Sequence, residues 1–202
     1  MAFRTFSTLG EVLTAYQIRY EQKPLPATDR TQQAPVDLRQ EIALTIQEVD
    51  YRVSEASICE SLIYPILRAV WKQYTDTFAI RSHQPIRLND ELNGIPDYLL
   101  TAKSKLGKVV VGMPYIAVVE AKRDDFTMGW AQCSLEMYTI QQFNQDTRPV
   151  YGIVSNGEVW EFAQLEDSLF TDFSPQLTID RLDELFNALT NLLETCKRIY
   201  NL

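Results

Sequence analysis

Apolar residues along this chain recur in two spacings, every three to four residues in some stretches and every two in others, and the switches between them mark out the expected elements. From about 7 to 20, Leu9, Val12, Leu13, Tyr16 and Ile18 fall near helical spacing behind a Ser or Thr cap, which predicts a first helix. Residues 21–35, EQKPLPATDRTQQAP, hold three prolines among polar residues and read as a surface loop. Between 36 and 50, Val36, Leu38, Ile42, Leu44, Ile46 and Val49 fit a helix or a strand. Residues 54–74 carry a capping serine and a dense apolar stripe at Ile58, Leu62, Ile63, Ile66, Leu67 and Val70, the signature of a helix. Pro65 lies inside it, removes one backbone hydrogen bond and should kink it, at a cost of about 3 kcal/mol.

Strand-like segments follow at 77–88 and 94–102, then a polar turn KSKLGK, then VVVGMPYIAVVEAK over 109–122, together a meander. Helical spacing returns over 127–145 with Trp130, Cys133, Met137, Ile140 and Phe143 along one side. VYGIVSNGEVWEFAQL, 150–165, reads as a hairpin turning at Ser155-Asn156-Gly157, since Asn-Gly supplies the positive φ a tight turn needs. The end of the chain, from 179, is an amphipathic helix read as closing the core rather than as a partner-binding element. Helices before, between and after a small central mixed β-sheet predict an α/β or α+β sandwich.

Composition narrows the chemistry. A chain of 202 residues with 46% hydrophobic content suits one compact unit, expected as an N-terminal helical extension over 1–50 and a main domain over 51–202. Apolar runs end well before the roughly 18 residues of a membrane span, and MAFRTFSTLG lacks a signal peptide's apolar stretch, so a soluble cytoplasmic protein without membrane contact is expected. Cys59, Cys133 and Cys196 are odd in number and form no CxxC, against a disulfide framework or zinc cluster. His83 is the only histidine, which excludes histidine-paired metal sites and serine–histidine hydrolases, and it reads as a surface or strand-edge residue. No GxxxxGK[ST] or GxGxxG occurs. A net charge of −8 opposes indiscriminate coating of nucleic acid, although Lys103, Lys105, Lys108, Lys122 and Arg123 cluster in sequence near the candidate site; the first three also suit a solvated hairpin loop.

That leaves carboxylates, lysines and a metal. Glu120 and Lys122 stand two apart at the end of an apolar strand and so share a face. Asp97, behind Pro96, is brought beside Glu120 by a hairpin turning near Lys105 to Gly107. Two carboxylates suit Mg2+, or Mn2+ in its place, with water and phosphate completing the shell and Lys122 orienting water or balancing phosphate charge. Glu21-Gln22-Lys23 has the same spacing but lies in the polar loop with no Pro-Asp before it.

IPD followed by a strand ending VVEAK resembles the PD-(D/E)XK nuclease superfamily, to which restriction endonucleases belong. Glu55, opening the helix with Leu-Ile, Pro-Ile-Leu and a terminal Trp, is similar to the helix glutamate of the nuclease modules of type I restriction motor subunits. Gln132 resembles the glutamine many members place near the lysine, and VYGIVSNGEVWEF resembles the hairpin that follows in those modules. The likeness covers about 54–163; it leaves the first 50 residues unmatched and brings no helicase motor or DNA-recognition domain. It implies a restriction-endonuclease-like α/β sandwich and a metal-dependent endonuclease cutting DNA, with RNA left open. Asp97, Glu120 and Glu55 are implied as metal residues, with Lys122 and Gln132 completing the catalytic set. A homodimer would pair two sites, each cutting one strand. The alternative is a silent module of the same fold that binds nucleic acid or protein. Glu60 points elsewhere on the helix, Trp130 and Tyr138 read as core, and Asp124 and Asp125 read as caps of the following helix or outer metal ligands.

Overall fold

A computed structural model describes residues 6–27 and 32–202. Helix α1 (Leu9–Ala15) starts at Thr8, which accepts from the Glu11 N–H while Glu11 accepts from the Thr8 N–H, a reciprocal cap. Then follow β1 (Arg19–Pro24), α2 (Val36–Glu48), α3 (Glu55–Ile58), a π-helical turn at Cys59–Ile63 and α4 (Tyr64–Trp71). The second half comprises β2 (Phe78–Ser82), β3 (Ile86–Arg87), β4 (Asn93–Gly94), β5 (Tyr98–Ala102), β6 (Tyr115–Ala121), α5 (Phe126–Asn144), β7 (Val150–Ser155), β8 (Val159–Glu166), β9 (Leu169–Thr178) and α6 (Leu182–Tyr200).

Seven strands form one mixed sheet in the order β1-β9-β8-β7-β6-β5-β2, and β3–β4 is a separate small ribbon. β6 and β7 are parallel, joined by the crossover helix α5, and β1 is parallel to β9; the other pairs are antiparallel. Helices cover both faces. On one side α2, the α3–α4 stretch and α6 pack over Val119, Ala121, Ile153 and Phe162; on the other α1 and α5 pack over Val118, Val154 and Ala163. The chain therefore has the expected α/β sandwich, and no helix among the described residues is long and apolar enough to cross a membrane.

Several elements depart from expectation. The loop read over 21–35 begins as strand β1, whose pairing with β9 is flanked by Arg19 N–H to Ser168 O (2.8 Å) and Leu25 N–H to Ser174 O (2.9 Å); its residues 28–31 lie outside the described residues. Polar side chains, Lys23 and Pro24 suit an exposed sheet edge, so polarity there signals an edge strand and not a loop. The segment 1–50 is thus no purely helical extension, since it supplies one edge of the sheet and α2, tied to α6 by Arg39 and by the Ala34 N–H (2.6 Å), both on Asp183. Residues 36–48 are helical, and only Leu38, Ile42 and Thr45, at spacings of four and three, are buried.

Pro65 does not kink a continuous α-helix. The turn before it widens, the Tyr64 N–H reaching back five residues to Cys59 O, which makes room for the proline ring and starts α4 afresh. The segment 77–88 splits into β2 and the ribbon strand β3, and β6 begins only at Tyr115. β9, unread from the sequence, contains Pro175; the β8 partner shifts from Leu177 to Phe173 across Trp160 and Phe162, and this irregularity absorbs the missing donor. The closing role of α6 holds, with Leu185, Phe186, Leu189, Leu193 and Cys196 buried.

What brings α5 against the strands that carry the site is the absence of a side chain. A Cβ on Gly152 of β7 would lie 2.4 Å from Met137 Sδ and 2.9 Å from Cys133 Sγ of α5. Gly152→Ala is expected to destabilise the fold by about 1 to 3 kcal/mol by overpacking, read as a lower urea midpoint at unchanged slope.

Candidate active site

From Ala117 onwards β6 alternates. Val118, Glu120 and then Lys122 face α5, while Val119 and Ala121 face the other core. Glu120 is 1% exposed and Lys122 9%. Lys122 Nζ lies 3.3 Å from Glu120 Oε2 and 3.9 Å from Glu55 Oε1, so the lysine joins a strand carboxylate to one on α3. The Lys122 N–H donates to Ser155 O (2.9 Å), continuing the β6–β7 pairing and fixing where the side chain departs. Its stem runs against α5, where a Cβ on Gly129 would come within 2.8 Å of Lys122 Cγ.

Asp97 precedes β5 and stands one step beyond the Tyr98–Val119 pair of the β5–β6 ladder, beside Glu120. Its Oδ2 accepts from the Ala121 N–H at 2.8 Å, which clamps the aspartate across the end of β6. Its Oδ1 faces His83 Nε2 at 3.5 Å, and the His83 N–H donates to Asp97 O at 2.9 Å. His83 Nδ1 is 2.7 Å from Ser82 Oγ. His83 is the exposed strand-edge residue expected, directly after edge strand β2, and it also closes the β2–β5 ladder beside Asp97.

Gln132 is also at the site, although its partner is a residue that periodicity does not single out. Gln132 Nε2 lies 3.5 Å from Oε1 of Glu136, which is fully buried one turn further along α5. The only sequence signal was a glutamate standing on the apolar side of the helix among Cys133, Met137 and Ile140. Glu120 and Glu136 lie within hydrogen-bonding reach of one another, yet Glu120 Oε1 and Glu136 Oε2 have no donor. Burial, then the Asp97 charge, pushes the Glu120 carboxyl up to about 7 against the pull of Lys122. Burial, then the Glu120 charge, raises Glu136 well above the usual carboxylate range. With Lys122 beside Glu120 and no cation beside Glu136, the shared proton belongs on Glu136. Lys122 itself loses by burial, but Glu120, Glu55 and Asp97 outweigh that and raise its pKa, so it is an ammonium.

The remaining candidates fall outside this cluster. Asp125 caps α5, accepting from the Met128 N–H at 2.9 Å, and Asp124 pairs with Arg123 at 2.7 Å. Glu60 lines the surface cavity between α2 and α4. Glu21 and Lys23 do share a face of a strand, as an exposed pair at 2.6 Å on edge strand β1. Lys103 does not flank the site: it follows the far end of β5, five strand residues at about 3.3 Å each from Asp97, with its Nζ on Thr75 O at 2.7 Å, and Lys105 and Lys108 belong to the loop that leaves that far end. Cys59, Cys133 and Cys196 are buried and unpaired, and burial, then Asp97, pushes the Cys59 thiol up to about 12, which makes it a poor nucleophile.

Among the described residues no three histidine, cysteine or acidic side chains are set closely enough to cage a cation by themselves. The donor set nevertheless fits a hard cation that takes its other ligands from water and phosphate: two neighbouring carboxylates, one with a buried oxygen lacking any donor. Glu55 joins the cluster through Lys122. No protein-family model matches the chain, and no curated protein matches it.

The raised Glu136 carboxyl makes stability pH-dependent. The folded chain keeps a proton that the unfolded chain releases above about 4.5, so the contribution of this group to stability is intact at lower pH and falls as pH rises. In EDTA, Glu136→Gln is expected to gain on the wild type as pH rises from 5 towards 8, by at most about 1.4 kcal/mol per pH unit, with the difference levelling off near pH 4 in denaturant titrations.

Proposed function

We propose that this protein is a divalent-metal-dependent nuclease of the PD-(D/E)XK type acting on DNA phosphodiester bonds. The observation that carries the reading is the junction at the end of β6, where Glu120 and charged Lys122 share a face and Asp97 is bonded across to the Ala121 N–H. Asp97 and Glu120 would hold the cation, which supplies charge stabilisation on the phosphoryl oxygens and lowers the pKa of water at the site. The ammonium of Lys122 has Glu120 on one side and the more distant, half-exposed Glu55 on the other, and an ammonium with three donors can turn one from Glu55 to a phosphate oxygen or a water. Asp97 keeps its direction because one oxygen is fixed by the backbone. Gln132, through Glu136, steadies the buried side of the pair.

A second reading, the same site binding nucleic acid or protein without cutting it, is favoured by one feature: the net charge of −8 together with the distance of Lys103, Lys105 and Lys108 from the site leaves little basic surface to hold a long polyanion there.

Incubation of linear, circular and single-stranded DNA and of RNA with Mg2+ or Mn2+ separates the two. Metal-dependent cutting is expected, reduced at least about 100-fold by Asp97→Ala and by Lys122→Ala in protein that unfolds cooperatively by circular dichroism. Absence of cutting by the wild type on every substrate favours the silent module.

A further inference from the structure

His83 is not part of the motif that suggested the nuclease, yet the fold presents it to Asp97 with an unusual degree of constraint. It is the one histidine of the chain and sits in the left-handed region, φ 50°, directly after β2. Its N–H is held by Asp97 O at 2.9 Å, its Nδ1 by Ser82 Oγ at 2.7 Å, and its ring stands edge-on to Tyr98. The backbone bond sets where the side chain departs, and the Ser82 and Tyr98 contacts orient the ring with Nε2 directed at Asp97 Oδ1.

The distance between those two atoms is informative. At 3.5 Å it exceeds the roughly 2.7 to 3.2 Å of an N–H···O hydrogen bond. Two ligands each about 2.1 Å from one cation are separated by roughly 3.0 Å at a right angle and 3.4 Å at a tetrahedral angle. The pair is thus set close to the spacing of two donors to a common ion. The Ser82 contact also suits such a ligand: in the tautomer with its proton on Nδ1 the ring donates to the Ser82 hydroxyl and leaves the lone pair on Nε2 for a cation. The oxygen of Asp97 that faces the imidazole is the one not taken by the Ala121 N–H.

We propose that His83 Nε2 and Asp97 Oδ1 bind a divalent cation together, so that the site accepts an imidazole-favouring metal such as Zn2+ in addition to Mg2+. The assignment rests on the reading of Asp97 as a cation ligand. Imidazole suits the later transition ions and adds little for Mg2+, which takes oxygen. His83 therefore sets which metal the site prefers, and its removal weakens binding of Zn2+ far more than of Mg2+.

Because there is one histidine, the imidazole 1H–15N correlation of the full chain reports on His83 alone. In EDTA-stripped, dialysed protein, stoichiometric Zn2+ is expected to shift the Nε2 resonance, and Asp97→Asn to abolish the shift. His83→Asn, which keeps a residue tolerant of the left-handed backbone, is expected to lower Zn2+ affinity at least about tenfold by calorimetry while leaving Mg2+ binding nearly unchanged. An imidazole that Zn2+ leaves unmoved overturns the assignment, as does one shifted equally in Asp97→Asn, which would mean capture of zinc by an exposed histidine alone. The nuclease reading fails separately: a chain that ligates Zn2+ through His83 but cuts no nucleic acid keeps this site and loses that activity, whereas one that cuts with Mg2+ and leaves His83 unmoved by Zn2+ keeps the activity and loses this site.

Discussion

A carboxylate inside a β-sandwich survives only where something meets its charge, because an isolated ion transferred from water into a medium of low dielectric is far too costly. Glu120 is in that position, 1% exposed on a central strand covered by the crossover helix α5. Its compensation is Lys122 at 3.3 Å, placed on the same face by the two-residue repeat of the strand. Around that pair the surrounding elements are arranged: α5 approaches closely because Gly129 and Gly152 carry no side chain, and Asp97 is tied to the Ala121 N–H between the two charged residues. Breaking such a buried pair by removing one member leaves the other uncompensated, a loss of about 3 to 5 kcal/mol in comparable settings. The buried pair thus makes Lys122 a structural residue at the same position where the proposed chemistry would use it.

The position of the pair at the end of β6 matters as much as its burial. Strand β6 has a parallel neighbour on one side and an antiparallel one on the other, so its C-terminal end meets the end of β7, the start of β5 and the start of the crossover to α5. Charged groups from β5, β6, α3 and α5 and the imidazole after β2 converge there, each on an element whose own core face is apolar. The cluster is accordingly stiff on its buried side, where Glu136 and Gln132 stand, and open on the side of Glu55 and His83, whose side chains are 49% and 57% exposed. A ligand would approach from that open side.

Much of this could be read in advance. The apolar repeats of 54–74, 127–145 and 179–202 identify helices, and the apolar strand ending in Glu120 and Lys122 identifies a shared face, because side-chain direction in a strand is a local property of the backbone. Asp125 as a cap of α5 and the Ser155-Asn156-Gly157 turn are equally local. Pro-Asp before a strand placed Asp97 in the right ladder once the meander was assumed, and β5 and β6 do pair antiparallel.

What the tertiary structure alone decided is whatever depends on partners distant in sequence. A polar edge strand such as β1 carries no apolar repeat, and only its hydrogen bonds to β9, some 150 residues away, make it a strand; β9 in turn hides Pro175 in an irregular pairing. The spacing of α5 puts Glu136 on the apolar side, but which buried group it meets there, Glu120 of β6, is settled only by the packing of the helix on the sheet. His83 is legible as a surface or strand-edge residue, but not its neighbour Asp97, which lies across a ladder that the sequence does not specify in register. Lys103, Lys105 and Lys108 looked close to the site because they are close in sequence, and the length of a strand separates them from it. Local geometry is written in the repeat of a single segment, whereas burial and proximity are properties of pairs of segments, and those exist only once the chain has folded.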